Sequence, residues 1–134
     1  MTQRPLILIV EDNEANQLLA QAVLELEGYA VELAGSAAEA FEVLRARTPA
    51  LILMDVQLPG EDGLSATTRI KSDPVWAGIP VVALTAHAMT GDRDLALQAG
   101  CAGYISKPID TRTFGVSVSQ FLNGAGRDRQ VIAG

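Results

Sequence analysis

At 134 residues, with 49% hydrophobic and only 4% aromatic content, the chain has the size of one domain whose core is built from small and branched apolar side chains, and this balance excludes intrinsic disorder. A formal charge of −6 argues against nonspecific nucleic-acid binding, which needs a cationic surface to meet phosphates. The single cysteine, Cys101, cannot form an internal disulfide and points to a reducing cytoplasm, while the apolar run near the N-terminus is too short for a signal peptide or a membrane span.

That run, Leu6-Ile7-Leu8-Ile9-Val10, shows no polar alternation, the pattern of a strand buried on both faces of a parallel sheet. A helix follows in which Leu18, Leu19, Ala22, Val23 and Leu26 are expected to form the buried face, with Gly28 where a C-cap belongs. Ala30 to Ala34 is a weaker strand. Ser36 with Glu39 three residues on makes a capping box and opens a helix through Phe41 and Leu44. Leu51-Ile52-Leu53-Met54 is a second doubly buried strand, followed by a helix that carries Leu64 and Ile70 and stops before Pro74. Val81-Val82-Ala83-Leu84 is a third, and a short Ala-rich helix around Asp92 to Ala99 ends at Gly100. Gly103 to Ser106 is the second weak strand. The last helix carries Phe114, Val118, Phe121 and Leu122, with Gly115 inside it costing roughly 1 kcal/mol against Ala.

Five β-α units in succession specify an α/β fold, a doubly wound, flavodoxin-like parallel sheet with helices on both faces. Residues 1–122 read as one domain and residues 123–134, rich in Gly and Arg, as a flexible tail. There is no internal repeat.

The polar residues that carry chemistry fall at the ends of these strands. Glu11 and Asp12 follow the first, Asp55 the third, Thr85 the fourth and Lys107 the fifth. Strand C-termini share one edge of an open parallel sheet, and ligands bind there where the strand order reverses. With the order 2-1-3-4-5, Glu11, Asp12 and Asp55 converge. Three carboxylates in one crevice repel one another unless a cation intervenes, and Mg²⁺ suits a shallow site with few carboxylates and several waters. Lys107 adds a point charge and Thr85 a hydroxyl donor. The set fits phosphoryl transfer, with Asp55 as the nucleophile that becomes an acyl phosphate.

At Ile9-Val10-Glu11-Asp12-Asn13, Leu53-Met54-Asp55-Val56-Gln57-Leu58-Pro59-Gly60, Ala83-Leu84-Thr85-Ala86 and Tyr104-Ile105-Ser106-Lys107-Pro108, the sequence resembles the response-regulator receiver family, from about Leu6 to Leu122. The 2-1-3-4-5 order comes from that resemblance, a member of the family being a standard example of it. The resemblance also implies roles. Asp12 and Asp55 would ligate Mg²⁺, Glu11 through bound water and Gln57 through its backbone carbonyl. The amides of Val56 and Ala86 would help Thr85 and Lys107 hold the phosphoryl group. Thr85 would move toward it, Tyr104 would rotate inward, and the Lys107–Pro108 peptide would be cis. Gln57 and His87 would tune water access, although a partly exposed loop histidine is the plainer reading of His87. The phosphate donor would be a histidine kinase or histidine phosphotransfer protein. The output would pass to a protein target through the face formed by helix 4, strand 5 and helix 5, without nucleic acid or membrane.

An aspartyl-nucleophile phosphatase would need a second Asp two residues after Asp55, where Gln57 stands. A flavin carrier would need a Ser/Thr- and Gly-rich phosphate loop, where Glu11-Asp12-Asn13-Glu14 repels phosphate instead. The expected protein is therefore a signalling switch rather than a metabolic enzyme, similar to stand-alone regulators of the DivK type; a receiver domain excised from a hybrid sensor kinase is the alternative. Cys101 is expected to be a small buried thiol.

Overall fold

A computed structural model describes residues 4–86 and 93–123. Strands and helices alternate as β1 (Leu6–Val10), α1 (Glu14–Leu26), β2 (Ala30–Ala34), α2 (Ala37–Ala46), β3 (Leu51–Asp55), α3 (Gly63–Ser72), β4 (Val81–Thr85), α4 (Arg93–Ala99), β5 (Gly103–Ser106) and α5 (Phe114–Asn123). The strands form one parallel sheet in the order β2-β1-β3-β4-β5. After pairing with β2 on one side, β1 pairs with β3 on the other, so the connections leave the sheet in opposite directions and open a crevice at the strand C-termini. β3 and β4 each run one residue beyond the apolar runs, so that Asp55 and Thr85 are the last residues of their strands rather than the first of the loops. The expected helix start at Asp92, and the tail beyond Asn123, lie outside the described residues.

The absence of polar alternation in the strands has a direct cause. Successive side chains point to opposite faces, and both faces are covered. Leu8, Val10, Ile52, Met54, Val81 and Ala83 pack under α2, α3 and α4 with Phe41, Leu44, Ala66, Ile70 and Ala96. Ile7, Ile9, Leu51, Leu53, Val82 and Leu84 pack under α1 and α5 with Ala20, Leu24, Phe114 and Val118. Cys101 is buried in the first of these layers.

The α1 face departs from expectation. The buried residues are Ala20 and Leu24, with Val23 partly buried, whereas Leu18 is 55%, Leu19 39% and Leu26 88% exposed and Ala22 is also at the surface. Apolar side chains lie almost all round this helix, so periodicity could not fix its rotation. The fit against the sheet did, with the small Ala20 at the close approach and polar Gln17 turned inward over the end of β1. Capping followed the sequence more closely. Ser36 Oγ accepts the Glu39 N–H at 3.2 Å, and Glu39 Oε1 accepts the Gly35 N–H at 2.7 Å. Gly28, two residues past the end of α1, has φ +98°, the left-handed turn that ends a helix at glycine. Among the described residues, no helix is long and apolar enough to cross a membrane.

Candidate functional site

The chain passes from β1 to α1 through Glu11, Asp12 and Asn13. Asn13 caps α1, its Oδ1 accepting the Asn16 N–H at 2.9 Å. Asp55 arrives at the end of β3, beside β1. One carboxylate oxygen from each of Glu11, Asp12 and Asp55 lies within 4.8 Å of the others. Glu11 and Asp55 are both 2% exposed, while Asp12 stands open to solvent. From β5, Lys107 Nζ donates to Asp55 Oδ2 at 2.9 Å and to Glu11 Oε1 at 3.3 Å.

The electrostatics follow from this packing. Burial pushes the Glu11 carboxyl above the usual range and the Asp55 charge pushes the same way, against the Asn13 N–H that Glu11 Oε2 accepts at 3.0 Å and against Lys107. Burial alone would lower the Lys107 ammonium. The hydrogen bond and charge of Asp55, joined by Glu11, outweigh it and hold the ammonium above the usual lysine value. One ammonium cannot neutralise three carboxylates, and the donors are all oxygen. Such a set fits a hard divalent cation.

The other expected residues sort themselves around this centre. Thr85 is buried at the end of β4, and its carbonyl accepts the Lys107 N–H at 2.8 Å. Ala86 follows it at the surface. The Lys107–Pro108 peptide is cis. Tyr104 lies half-buried on β5 opposite Ala83, packed on the core layer under α2 to α4, with the Arg93 guanidinium 5.9 Å from its ring centroid. Gln57 is exposed beside Asp55, and His87 lies outside the described residues.

In this structure the ladder continues one residue past β3, and the Val56 N–H donates to the Leu84 carbonyl at 3.0 Å. The amide turned toward the nucleophile is that of Gln57, which donates to Asp55 Oδ1 at 2.9 Å.

Sequence reasoning also passed over Gly63. Its N–H donates to the Val56 carbonyl at 3.1 Å, and a Cβ placed there would lie 2.0 Å from the Asp55 carbonyl oxygen. α3 can therefore start close against Asp55 only because residue 63 has no side chain. A glycine just after Asp62, which caps α3, was the available signal.

Comparison with known proteins agrees with this geometry. The family model described as the response regulator receiver domain matches residues 7–118. The polar-differentiation response regulator DivK of Brucella ovis is 43% identical over 119 residues, covering 89% of this chain and 97% of that protein. The receiver domain of a sensor histidine kinase from Pseudomonas aeruginosa PAO1, solved with a magnesium ion coordinated in its active-site cleft, superposes with a TM-score of 0.82 at 36% identity, covering 90% of this chain and 99% of that one. A CheY-like receiver domain protein from Methanospirillum hungatei JF-1 gives a TM-score of 0.83 at 28% identity, covering 92% and 97%.

Proposed function

This chain belongs to the response regulator receiver family, and from that premise we propose that Asp55 accepts a phosphoryl group from a phosphohistidine donor and thereby switches the protein's contacts with a partner. The observation that carries this reading is the convergence of the Glu11, Asp12 and Asp55 carboxylates within 4.8 Å, with Lys107 already on Asp55. Asp12 and Asp55 would hold Mg²⁺ directly, Glu11 through water and Gln57 through its backbone carbonyl. When bound, the cation supplies charge neutralisation for the transferring phosphoryl oxygens.

The chain's own groups do the rest. An Asp55 carboxylate oxygen, released from the Gln57 N–H or from Lys107, attacks phosphorus in line, the N–P bond of the donor breaks with its electron pair left on the imidazole nitrogen, and an acyl phosphate forms. Lys107 follows the negative charge from the carboxylate to a phosphoryl oxygen. The Thr85 hydroxyl and the amides of Gln57 and Ala86 donate to the others. Gln57, exposed beside Asp55, would tune the access of the hydrolytic water, a role the family pattern also assigns to His87. The protein is a signalling switch that catalyses only its own phosphorylation and dephosphorylation.

Phosphorylation adds about −1.5 to −2 charges and three strong acceptors. It favours the conformation in which Thr85 and Lys107 reach them, with Tyr104 rotated inward. Two exposed apolar surfaces support the partner assignments. Leu18, Leu19 and Leu26 stand out on α1, which leaves the acidic turn, and suit a docked histidine kinase or phosphotransfer protein. Leu97, one turn past the Arg93 that lies over Tyr104, and Val116 stand out on α4 and α5 and suit an output target at the α4-β5-α5 face. Identity to DivK, 43% over 97% of its length, supports a regulator acting by protein contact. On this reading the receiver spans residues 1–122 and works in the cytoplasm.

The test is intact mass after incubation with Mg²⁺ and a small phosphodonor, for the wild type and for Asp55→Asn. One phosphoryl group on the wild type alone, lost with chelator, is expected. Equal incorporation by a folded Asp55→Asn variant would end the assignment.

A further inference from the structure

Every polar backbone and side-chain atom of Glu11 is engaged, and one of the partners has no role in the reading above. Its N–H donates to the Ala34 carbonyl at 2.9 Å, its Oε2 accepts the Asn13 N–H, and its Oε1 meets Lys107. Its carbonyl accepts a hydrogen bond from Gln17 Nε2 at 2.6 Å. That carbonyl belongs to the planar peptide unit joining Glu11 to Asp12, so holding it fixes the plane from which the Asp12 side chain projects. The remaining ties on the turn are local: the Asn16 N–H on Asn13 Oδ1 at 2.9 Å and the Gln17 N–H on the Asn13 carbonyl at 3.0 Å. These fix the start of α1 but not the peptide before Asp12.

The Gln17 amide also lies near the β2–α2 turn: a Cβ at Gly35 would lie 3.8 Å from Gln17 Nε2 and 3.4 Å from Glu39 Oε1. Only the nitrogen end of an amide can face a carbonyl, so the orientation is chemically determined.

We propose that Gln17 is a positioning residue for the acidic site, holding the Glu11–Asp12 peptide so that the exposed Asp12 carboxylate stands ready for a divalent cation beside Glu11 and Asp55. The proposal rests on the receiver reading. Groups that orient ligands from behind are worth about 10- to 100-fold in metal affinity, and partial solvent access puts Gln17 at the lower end.

The experiment follows amide chemical shifts of the full unphosphorylated chain during Mg²⁺ titration, for the wild type, Gln17→Met and Gln21→Met. Gln21 lies one turn on, where, among the described residues, its Nε2 donates to the exposed Glu25 Oε2 at 3.2 Å. Gln17→Met is expected to raise the Mg²⁺ dissociation constant about ten-fold, and Gln21→Met to leave it unchanged. At saturating Mg²⁺, phosphorylation of Gln17→Met by a small donor should recover to within about two-fold of wild type, a split that general loosening of the fold would not give. A wild-type dissociation constant for Gln17→Met overturns the inference, as does a rate that stays low at saturating Mg²⁺. Should Gln17→Met not fold, Gln17→Glu replaces it. Added negative charge alone would tighten Mg²⁺ binding, so weaker binding supports the lost donor, and unchanged or tighter binding overturns the inference. A wild type that binds no Mg²⁺ would remove the cation reading of the whole site, a result distinct from variants that bind as well as wild type.

Discussion

Replacing Glu11 by Gln should make the cation-free protein more stable, and the structure shows why. At an effective dielectric of about 20, Asp55, within 4.8 Å, repels Glu11 by about 3.5 kcal/mol or more. Exposed Asp12, within the same limit, adds about 1 kcal/mol through solvent. Lys107 at 3.3 Å attracts Glu11 by about 5 kcal/mol on the same scale. Repulsion and attraction nearly cancel, so the burial of a carboxylate only 2% exposed decides the sign, and it opposes ionisation. Because the folded-state pKa of Glu11 is raised, the wild type loses stability as the pH rises from its ordinary value of 4.5 through the raised one.

Gln keeps an oxygen for the Asn13 N–H and leaves Lys107 on Asp55. The expected gain at pH 7.5 in chelator is about 1–2 kcal/mol, or about 4–8 °C in Tm for a chain of this size. Mg²⁺ at ten times its dissociation constant stabilises by about 1.4 kcal/mol, chiefly in the wild type, so the gap should narrow. Thermal melts of both proteins, with chelator and with Mg²⁺, decide it. A variant that melts below wild type in chelator, or a gap indifferent to Mg²⁺, would refute the argument that burial of the charge dominates.

Three further outcomes are expected. Gly63→Ala forces a methyl group against the Asp55 carbonyl, where backbone must shift by about 1 Å; a loss of about 1–3 kcal/mol in denaturant melts and a slower phosphorylation of Asp55 should appear together. Lys71→Met removes the ammonium that donates to the Ala77 carbonyl at 3.1 Å and the Ile79 carbonyl at 2.6 Å, and should cost about 2 kcal/mol without changing phosphorylation. The Cys101 thiol, pushed by burial from 9.0 to about 11, should carry about 100-fold less thiolate at pH 8 than an unfolded thiol and alkylate correspondingly slowly. Its contribution to stability is intact below pH 9 and is lost as the pH rises through 11, which equilibrium melts between pH 8 and 11 can follow.

Much of this was legible in the chain alone, because the signals were local. Doubly buried strands need uninterrupted apolar runs, Ser36 and Glu39 cap a helix within one turn, and Gly28 supplies a left-handed φ. Polar residues directly after such strands must sit on one sheet edge, so Glu11, Asp12, Asp55, Thr85 and Lys107 could be grouped without coordinates. What tertiary structure alone decided was orientation. The rotation of α1 depends on which side chains fit the sheet, and a helix apolar nearly all round carries no record of that choice; Leu18 and Leu26 went outward and Gln17 inward. Which amide faces Asp55 depends on where the β3–β4 ladder ends, so Val56 bonded to Leu84 and Gln57 turned to the site. Close approaches between distant segments, Gly63 on Asp55 and Gln17 on the end of β1, arise from packing, which couples residues that spacing along the chain does not relate.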